Sequence, residues 1–508
     1  MYDRRASGIL LHPTSLPDSI GIGDLGGAAY RFVDWLQRAK QRRWQIMPLG
    51  PTSYGDSPYA SLSAMAGNPL LISLDRLVGD GFLQRSDLDN APQFPADHVD
   101  FGPVIEWKTA TLQTAYASFE ANAKHDQRVA FEAFRNDQAR WLDDFALFTA
   151  LKEAHGGAPW NQWDAAIARR EPDAVAEWHD RLVDRIRFQQ FLQWQFFTHW
   201  SDLKRYANER GVQIIGDIPI FVAYDSADVW ANRELFYLDE QGNTTVVAGV
   251  PPDYFSATGQ RWGNPLYRWN VLAQRGYDWW IERFRVTLAL VDIVRLDHFR
   301  GFAAYWEVPA SEETAINGRW VKGPGAAFFQ EVREKLGRFP IIAEDLGLIT
   351  PDVEQLRDEQ DFPGMAVLHF AWGDDASNMY QPHNYTQNLV AYSGTHDNDT
   401  TVGWWNTLDD RTRSQIQFYF GISGQDIAWD MIRAALQSVA DTAIVPMQDV
   451  LSLGTEARMN LPGRPLGNWS WRLRGDQLTD EAADRLAQLT ALFGREPIDK
   501  PPPQFDYL

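Results

Sequence analysis

The sequence contains no cysteine, relatively few basic residues and no long apolar run. With no cysteine among 508 residues, the chain has no disulfide, thiolate metal site or cysteine nucleophile, a composition that fits a reducing compartment. Its 47 Lys and Arg stand against 68 Asp and Glu, a formal net charge of −21, which would repel nucleic acid and anionic lipid. We therefore expect a neutral ligand, with neither nucleic acid nor a membrane as partner.

No segment has the pattern of a targeting or membrane-spanning sequence. The N-terminal MYDRRASGILLHPTS has two arginines but no apolar stretch of signal-peptide length before His12. No apolar run long enough to span a bilayer follows it. The content of 44% hydrophobic and 23% charged residues is typical of soluble globular proteins. We therefore expect a cytoplasmic protein.

Eight short apolar runs, each ending in polar residues, are the main pattern along the chain. Such runs are typical of parallel strands that are buried on both faces, and helical stretches such as 28–41 separate several of them. The runs are GILLH (8–12), WQIMPL (44–49), VQIIGDI (212–218), LALVDIVRLD (288–297), PIIAED (340–345), MAVLHFAW (365–372), NLVAYS (388–393) and TAIVPMQD (442–449). This alternation predicts an α/β protein, a (β/α)8 TIM barrel with large inserted subdomains.

A barrel of this kind takes about 250 residues, so the rest of the chain must lie in insertions. We predict one catalytic domain over 1–508 that carries three of them. They are a mainly helical subdomain over 51–211, a loop subdomain above the active site over 221–270, and a small insertion after the fourth strand over 299–338. The first contains an amphipathic helix with Trp141, Leu142, Phe145 and Phe148 on one face.

Four carboxylates lie where a barrel places its chemistry, at the C-terminal ends of strands. Asp217, Asp297 and Glu344 lie at the ends of apolar runs, and Asp397 follows another run in the stretch SGTHDND. A single acidic residue at such a position can simply cap a helix or pair with a surface lysine. Four of them at one end of a barrel favour a catalytic site.

The sharpest local pattern is DIVRLDHFRG (292–301), in which Arg295 and Asp297 share one face of a strand. The guanidinium would hold Asp297 ionised, as a nucleophile requires, although a structural ion pair is an alternative. Glu344 would be a general acid whose pKa is raised by neighbouring carboxylates, and Asp397 would add a third carboxyl. Two carboxyls across a glycosidic bond are the minimum for glycoside chemistry.

Two other patterns indicate different functions. GIGDLG (21–26) matches the dinucleotide-binding G-x-G-x-x-G, but it follows a proline-rich loop instead of a strand. His298, His396, Asp397 and Asp399 could form the metal site of a barrel metallohydrolase, but they lack zincin-like spacing. The 22 tryptophans suit either core packing or the stacking of sugar rings.

A series of longer motifs adds a family resemblance that covers essentially the whole chain. The motifs are GILLHPTSLP with GIGDLG, GDSPY (55–59) with AGNPLL, GDIPIFVAYDSADVW (216–230), GVPPDYFSATGQRWGNPLY (249–267), RLDHFRG (295–301), AEDLG (343–347), GTHDNDT (394–400), and EARMNLPG with NWSWR (468–472). In this order they closely resemble the 4-α-glucanotransferases called amylomaltases or disproportionating enzymes, within the α-amylase clan.

The resemblance implies a role for each candidate residue. Asp297 would be the nucleophile after the fourth strand, Glu344 the general acid/base after the fifth, and Asp397 the transition-state stabiliser after the seventh. Sugar contacts are implied for Asp217, Arg295, His298, His396 and the stacking residue Tyr59, for Tyr254, Phe255 and Trp262 on the acceptor side, and for Tyr54, Ser57 and Asn468. Relatives commonly have isoleucine in place of Leu296 and glutamine in place of His369.

The implied activity is a retaining transfer of α-1,4-glucan segments from a donor maltooligosaccharide or starch chain to the 4-hydroxyl of an acceptor. It would proceed through a covalent β-glucosyl ester on Asp297, with no cofactor and no metal. The implied partners are α-1,4-glucans, including amylose, starch or glycogen, and a monomeric state is compatible with the sequence. A mainly hydrolytic α-glucanase and a catalytically inactive glucan-binding protein remain as alternatives.

Overall fold

The structure, a computed structural model, describes residues 5–17, 20–252, 256–337, 339–347 and 349–496. Twelve strands within these residues form two sheets. The strands are β1 (Ala6–Leu10), β2 (Arg43–Gln45), β3 (Gln213–Pro219), β4 (Val246–Val250), β5 (Gln260–Pro265), β6 (Ile293–Asp297), β7 (Ala304–Pro309), β8 (Arg319–Lys322), β9 (Ile341–Ala343), β10 (Gly364–Val367), β11 (Leu389–Tyr392) and β12 (Thr442–Pro446).

Nineteen α-helices complete the regular structure of the described residues. They are α1 (Gly27–Arg38), α2 (Leu74–Gly79), α3 (Phe101–Asn122), α4 (His125–Asp137), α5 (Ala139–Ala154), α6 (Ala165–Ala168), α7 (Pro172–Arg181), α8 (Val183–Glu209), α9 (Ala227–Ala231), α10 (Trp269–Gln274), α11 (Asp278–Leu290), α12 (Arg300–Ala303), α13 (Gly325–Leu336), α14 (Pro351–Glu359), α15 (Thr401–Thr407), α16 (Asp410–Phe420), α17 (Ile427–Gln437), α18 (Met447–Val450) and α19 (Asp480–Leu492). None of these helices combines the length and apolar character needed to cross a bilayer. The cytoplasmic location remains a prediction.

The larger sheet is the barrel that the sequence predicts. Its eight parallel strands lie in the order β10, β11, β12, β1, β2, β3, β6, β9. The N–H of Ala343 in β9 donates to the carbonyl of Pro363, just before β10, at 2.9 Å, which joins the two end strands. The α/β class and the TIM barrel are therefore confirmed. One boundary differs, because residues 288–290 of the fourth run complete α11 and the strand begins only at Ile293.

The inward-facing side chains of the barrel explain why polar residues collect at one end. Leu10, Ile215, Ile293, Ile342, Met365, Val367, Val390, Tyr392 and Ile444 form a buried apolar cluster from seven barrel strands. Because side chains alternate along a strand, the residue two positions further on shares the same face. For Ile215, Ile293 and Ile342 that residue is Asp217, Arg295 and Glu344. An apolar layer inside the barrel therefore underlies a polar layer at the C-terminal end.

The chain between β2 and β3 forms seven helices, α2 to α8. Trp141, Leu142, Phe145 and Phe148 of α5 are all buried, as their spacing predicts. Helix α8 contains 27 residues and stops before Gly211, whose φ of +73° is the left-handed conformation that commonly follows a helix end. The proposed limits of this insertion, 51–211, remain a prediction.

The two later insertions meet in a second sheet. Its four antiparallel strands lie in the order β5, β4, β7, β8. Strands β4 and β5 come from 221–270, and β7 and β8 come from 299–338. The sequence predicts loop structure in the first segment because Pro, Gly and Asp are frequent there. Strand β4 pairs with β5 of its own insertion on one side and with β7 of the other insertion on the other side, and this second, distant pairing leaves no local pattern.

Candidate active site

The three predicted catalytic carboxylates lie at the C-terminal end of the barrel. Asp297 is the last residue of β6, and Glu344 directly follows β9. Leu296 pairs with Ala343 across these two strands, so Asp297 and Glu344 occupy the next, neighbouring positions. Asp397 lies in the loop between β11 and α15. This is the end at which TIM-barrel enzymes carry their catalytic residues.

Arg295 joins three other predicted site residues in one polar network. Arg295 and Asp217 pair in register across β6 and β3, and Nη1 of Arg295 donates to Oδ2 of Asp217 at 2.5 Å. Nη2 of Arg295 lies 3.0 Å from Oδ1 of Asp297. The hydroxyl of Tyr59 donates to the same Asp217 oxygen at 2.8 Å. Since the Arg295 and Asp217 side chains are only 4% and 1% exposed, the ion pair between these two residues is shielded from solvent.

Asp297 and Glu344 both have raised pKa values. Burial raises the pKa of Asp297 well above its usual value; Arg295 opposes this, and the charges of Asp217 and Glu344 add to it. Burial also raises the pKa of Glu344, opposed by Arg295 and by two backbone N–H groups. Those of Leu346 and His298 donate to Oε1 at 2.9 Å and to Oε2 at 2.6 Å. Two neighbouring carboxyls of this kind retain one proton more readily than isolated ones.

Asp397 is held by a segment that the sequence analysis did not assign to the site. Nδ2 of Asn460 donates to Oδ1 of Asp397 at 2.6 Å, and Nη2 of Arg458 donates to the Asp397 carbonyl at 2.7 Å. The Asp397 side chain remains 47% exposed, so it is fixed in place yet open to the cleft. Asn460 and Arg458 lie in EARMNLPG (456–463), where no spacing rule connects them with a carboxylate on another loop.

Aromatic side chains pack against several of the predicted site residues. Tyr59 stacks on His396 with ring centroids 5.2 Å apart, and Trp469 lies 5.8 Å from Tyr59. Burial lowers the pKa of His396 and lowers that of His298 to about 3, so both imidazoles are neutral at neutral pH. The ring of Trp262, which is 39% exposed, packs edge-on against His298 at 4.8 Å. Trp469 lies within the motif NWSWR, but no pattern in the sequence marked it as a site residue.

Of the remaining predicted sugar contacts, two bond to backbone groups and one is exposed. Oγ of Ser57 accepts the N–H of Tyr59 at 3.2 Å. The side-chain amide of Asn468 bonds to backbone groups of its own loop at 2.9 and 2.8 Å. Tyr54 is 73% exposed on a short 3-10 turn. Two further predicted contacts, Tyr254 and Phe255, lie outside the described residues.

The two rival motifs serve other structural roles. Oδ2 of Asp399 accepts the hydroxyl of Thr455 at 2.9 Å, and in the described part of the chain no three His, Asp or Glu residues are arranged to hold a metal ion. GIGDLG leads into α1, where Oδ1 of Asp24 accepts the N–H of Gly26 at 2.8 Å. The motif therefore belongs to a barrel and not to a doubly wound dinucleotide-binding fold, so the dinucleotide interpretation is wrong.

Comparison with known proteins identifies the family of this chain. A family model described as 4-alpha-glucanotransferase matches residues 11–479. A 4-alpha-glucanotransferase of Synechocystis sp. is 53% identical over 97% of this chain and 99% of its own length. One of Thermus thermophilus is 51% identical over 95% of this chain and 97% of its own. The solved structure of amylomaltase from Streptococcus agalactiae in complex with acarbose has a TM-score of 0.94 and 40% identity, covering 97% of this chain and 100% of that one. The chain therefore belongs to the 4-alpha-glucanotransferase family of enzymes.

Proposed function

We propose that this enzyme moves α-1,4-glucan segments from a donor maltooligosaccharide, starch or glycogen chain to the 4-hydroxyl of an acceptor glucan or glucose, with retention at the anomeric carbon. The observation that carries this proposal is the arrangement of two raised-pKa carboxyls, Asp297 and Glu344, on neighbouring strands with Arg295 beside Asp297. Membership of the family supports the choice of an α-1,4-glucan as substrate.

The position of Arg295 supports the assignment of Asp297 as the ionised carboxyl of the pair. The guanidinium lies 3.0 Å from Oδ1 of Asp297, and a cation at this distance favours the ionised carboxylate. Burial raises the pKa of Glu344, and the proposal gives the proton of the resting enzyme to this carboxyl, the general acid/base that the family resemblance implies. We therefore assign Asp297 as the nucleophile, attacking through Oδ2, and Glu344 as the general acid.

The reaction proceeds in two displacements. First, Asp297 attacks the anomeric carbon, the glycosidic C–O bond breaks, and Glu344 gives its proton to the leaving oxygen. The product is a β-linked glucosyl ester. Next, the Glu344 carboxylate takes the proton of an acceptor 4-hydroxyl, whose oxygen attacks the same carbon and displaces Asp297. Two inversions give net retention, and the carboxylate of Asp397 stabilises the positive charge that develops in each transition state.

The donor sugar is proposed to bind against Tyr59, whose ring is held by His396 and Trp469 and offers an apolar face to a pyranose. The neutral imidazoles of His396 and His298 can each donate one hydrogen bond to a sugar hydroxyl. Asp217 is 1% exposed at its side chain. Besides the sugar contact that the resemblance implies for it, we propose that Asp217 orients Arg295 and Tyr59 through its carboxylate.

On the acceptor side, Trp262 is proposed to stack the incoming glucan and to keep water from the ester. Its position against His298 supports this role, because the backbone N–H of His298 donates to Glu344 at 2.6 Å. The proposed further contacts with the glucan chain are Tyr54, Ser57, Tyr254, Phe255 and Asn468.

Incubation with maltotriose, followed by separation of the products, tests the proposed activity. A transferase yields glucose together with maltopentaose and longer chains, a hydrolase yields glucose and maltose without elongation, and an inactive binding protein leaves maltotriose unchanged. Asp297→Asn, Glu344→Gln and Asp397→Asn should each lower the rate by about 10³-fold or more with an unchanged circular dichroism spectrum. Asp410→Asn, which changes an exposed carboxylate on α16, is the control. Near-wild-type activity in any of the three variants would remove that residue from the mechanism.

A further inference from the structure

Both ends of the loop that carries Asp397 form hydrogen bonds with a single buried carboxylate, that of Asp449. This loop runs from Ser393, directly after β11, to Thr401, the first residue of α15. The Ser393 hydroxyl donates to Oδ2 of Asp449 at 2.6 Å, and the Thr401 hydroxyl donates to the same oxygen at 2.7 Å. The backbone N–H of Thr401 donates to Oδ1 at 2.8 Å. Asp449 therefore ties the two ends of the loop together.

These contacts are made in the interior of the protein. Asp449 is 1% exposed, and Ser393 and Thr401 are fully buried. Burial raises the pKa of Asp449, and its hydrogen bonds with Ser393 and Thr401 oppose that rise. Hydrogen bonds to a carboxylate are short and strong, and a low-dielectric surrounding strengthens them. The two loop ends are thus held rigidly against the segment that follows β12.

His369, which follows strand β10, also contacts Thr401. Its Nε2 lies 3.0 Å from Oγ1 of Thr401. Since that hydroxyl gives its hydrogen to Asp449, it can accept one from Nε2 of His369. The imidazole also stacks on Trp404 of α15 at a centroid distance of 4.3 Å. The chain segments that follow β10, β11 and β12 therefore meet at Thr401.

We propose that Asp449 is a positioning residue, which acts through Ser393 and Thr401 to set the place of Asp397 in the cleft. The proposal rests on the catalytic role proposed above for Asp397. The Asp397 side chain is 47% exposed, and the N–H of Asp397 reaches the Thr395 hydroxyl at a long 3.3 Å. Asn460 and Arg458 hold Asp397 from outside its loop, and Asp449 fixes the two ends of the loop itself. A displacement of about 1 Å at a catalytic group can cost about 10²-fold in rate.

Removing the two hydroxyls tests this role without changing a carboxylate. Ser393→Ala and Thr401→Val should each lower kcat on α-maltosyl fluoride by about 10- to 100-fold, with KM changed by less than about threefold, because Asp397 acts in the transition state. Thr401→Ser keeps the hydroxyl and should restore kcat to within about threefold of wild type. The control is Ser438→Ala, which removes a buried hydroxyl bonded at 2.8 Å to the Ala435 carbonyl after α17; it should lower Tm but not kcat.

A double-mutant cycle with Asp397→Asn separates positioning from general structural support. Ser393→Ala should lower kcat strongly in the wild-type background and by less than about twofold in the Asp397→Asn background. An equal effect in both backgrounds would overturn the proposal, as would a lower Tm with unchanged kcat for both Ser393→Ala and Thr401→Val. Wild-type activity of Asp397→Asn alone would instead refute the catalytic role of Asp397, and the positioning role with it.

Discussion

Replacing His369 with glutamine should make the stability of this protein less sensitive to acid. Burial, with a smaller contribution from the charge of Arg458, lowers the pKa of His369 from 6.5 to about 3. A histidine in the unfolded chain takes up a proton near 6.5, whereas His369 in the folded protein stays neutral until about pH 3. A group whose pKa is lowered on folding contributes stability above its unfolded pKa, and this stability is lost as the pH falls below that value.

The size of the effect follows from the same pKa values. At pH 5 the unfolded state holds nearly one proton at this histidine, and the folded state holds almost none. Each pKa unit corresponds to about 1.4 kcal/mol. Protonation of this histidine in the unfolded state, between its pKa of 6.5 and pH 5, therefore lowers the free energy of unfolding by about 2 kcal/mol. Glutamine takes up no proton in either state, yet its amide can still donate to the Thr401 hydroxyl. The wild-type free energy of unfolding should therefore fall by about 2 kcal/mol more than that of the variant between pH 7 and pH 5.

Urea unfolding followed by tryptophan fluorescence at pH 7 and pH 5 measures this difference. His125→Gln, which replaces an exposed histidine on α4, is the matched control and should follow the wild type. Equal pH dependence in wild type and His369→Gln would mean that the folded protein protonates His369 as readily as the unfolded chain does. That result would refute the reasoning from burial.

Three further changes have definite expected outcomes. Trp262→Ala should raise the ratio of reducing-end release to chain elongation from maltotriose, because the indole ring that packs against His298 would no longer keep water from the glucosyl ester. An unchanged ratio would show that Trp262 does not exclude water. Asn460→Ala should lower kcat by about tenfold, because the 2.6 Å hydrogen bond to Asp397 is lost; an unchanged kcat would show that the bond does not matter for turnover. Activity should survive exhaustive dialysis against EDTA, whereas a loss that added metal restores would favour a metallohydrolase.

The barrel could be predicted because its eight strands are buried on both faces. Burial of both faces produces continuous apolar runs, such as NLVAYS before the loop of Asp397, and the inward residues that follow them mark the C-terminal end. The positions of Asp297 and Glu344 follow from this rule alone. The joining of the two insertions into one second sheet could not be predicted, because β4 pairs with β7, a strand from another insertion. Local sequence patterns do not record such distant partners.

The contacts that position Asp397 could not be predicted from the sequence either. Asp449 ends the apolar run TAIVPMQD, as Asp297 ends another, yet β12 stops at Pro446 and the short helix α18 turns this carboxylate toward Ser393 and Thr401. Asn460 reaches Asp397 from a different loop. In both cases the partner is fixed by tertiary packing, whereas a sequence pattern reports only on residues that are close along the chain.

The most direct test of the mechanism is peptide mapping by mass spectrometry of Glu344→Gln after reaction with α-maltosyl fluoride. Fluoride leaves without an acid, so the ester can still form, but glutamine cannot remove the proton of an acceptor hydroxyl. We predict a maltosyl adduct that accumulates on the peptide containing Asp297 in Glu344→Gln and is absent from the double variant Asp297→Asn/Glu344→Gln. An adduct on another residue, or continued turnover by Glu344→Gln without any adduct, would contradict it.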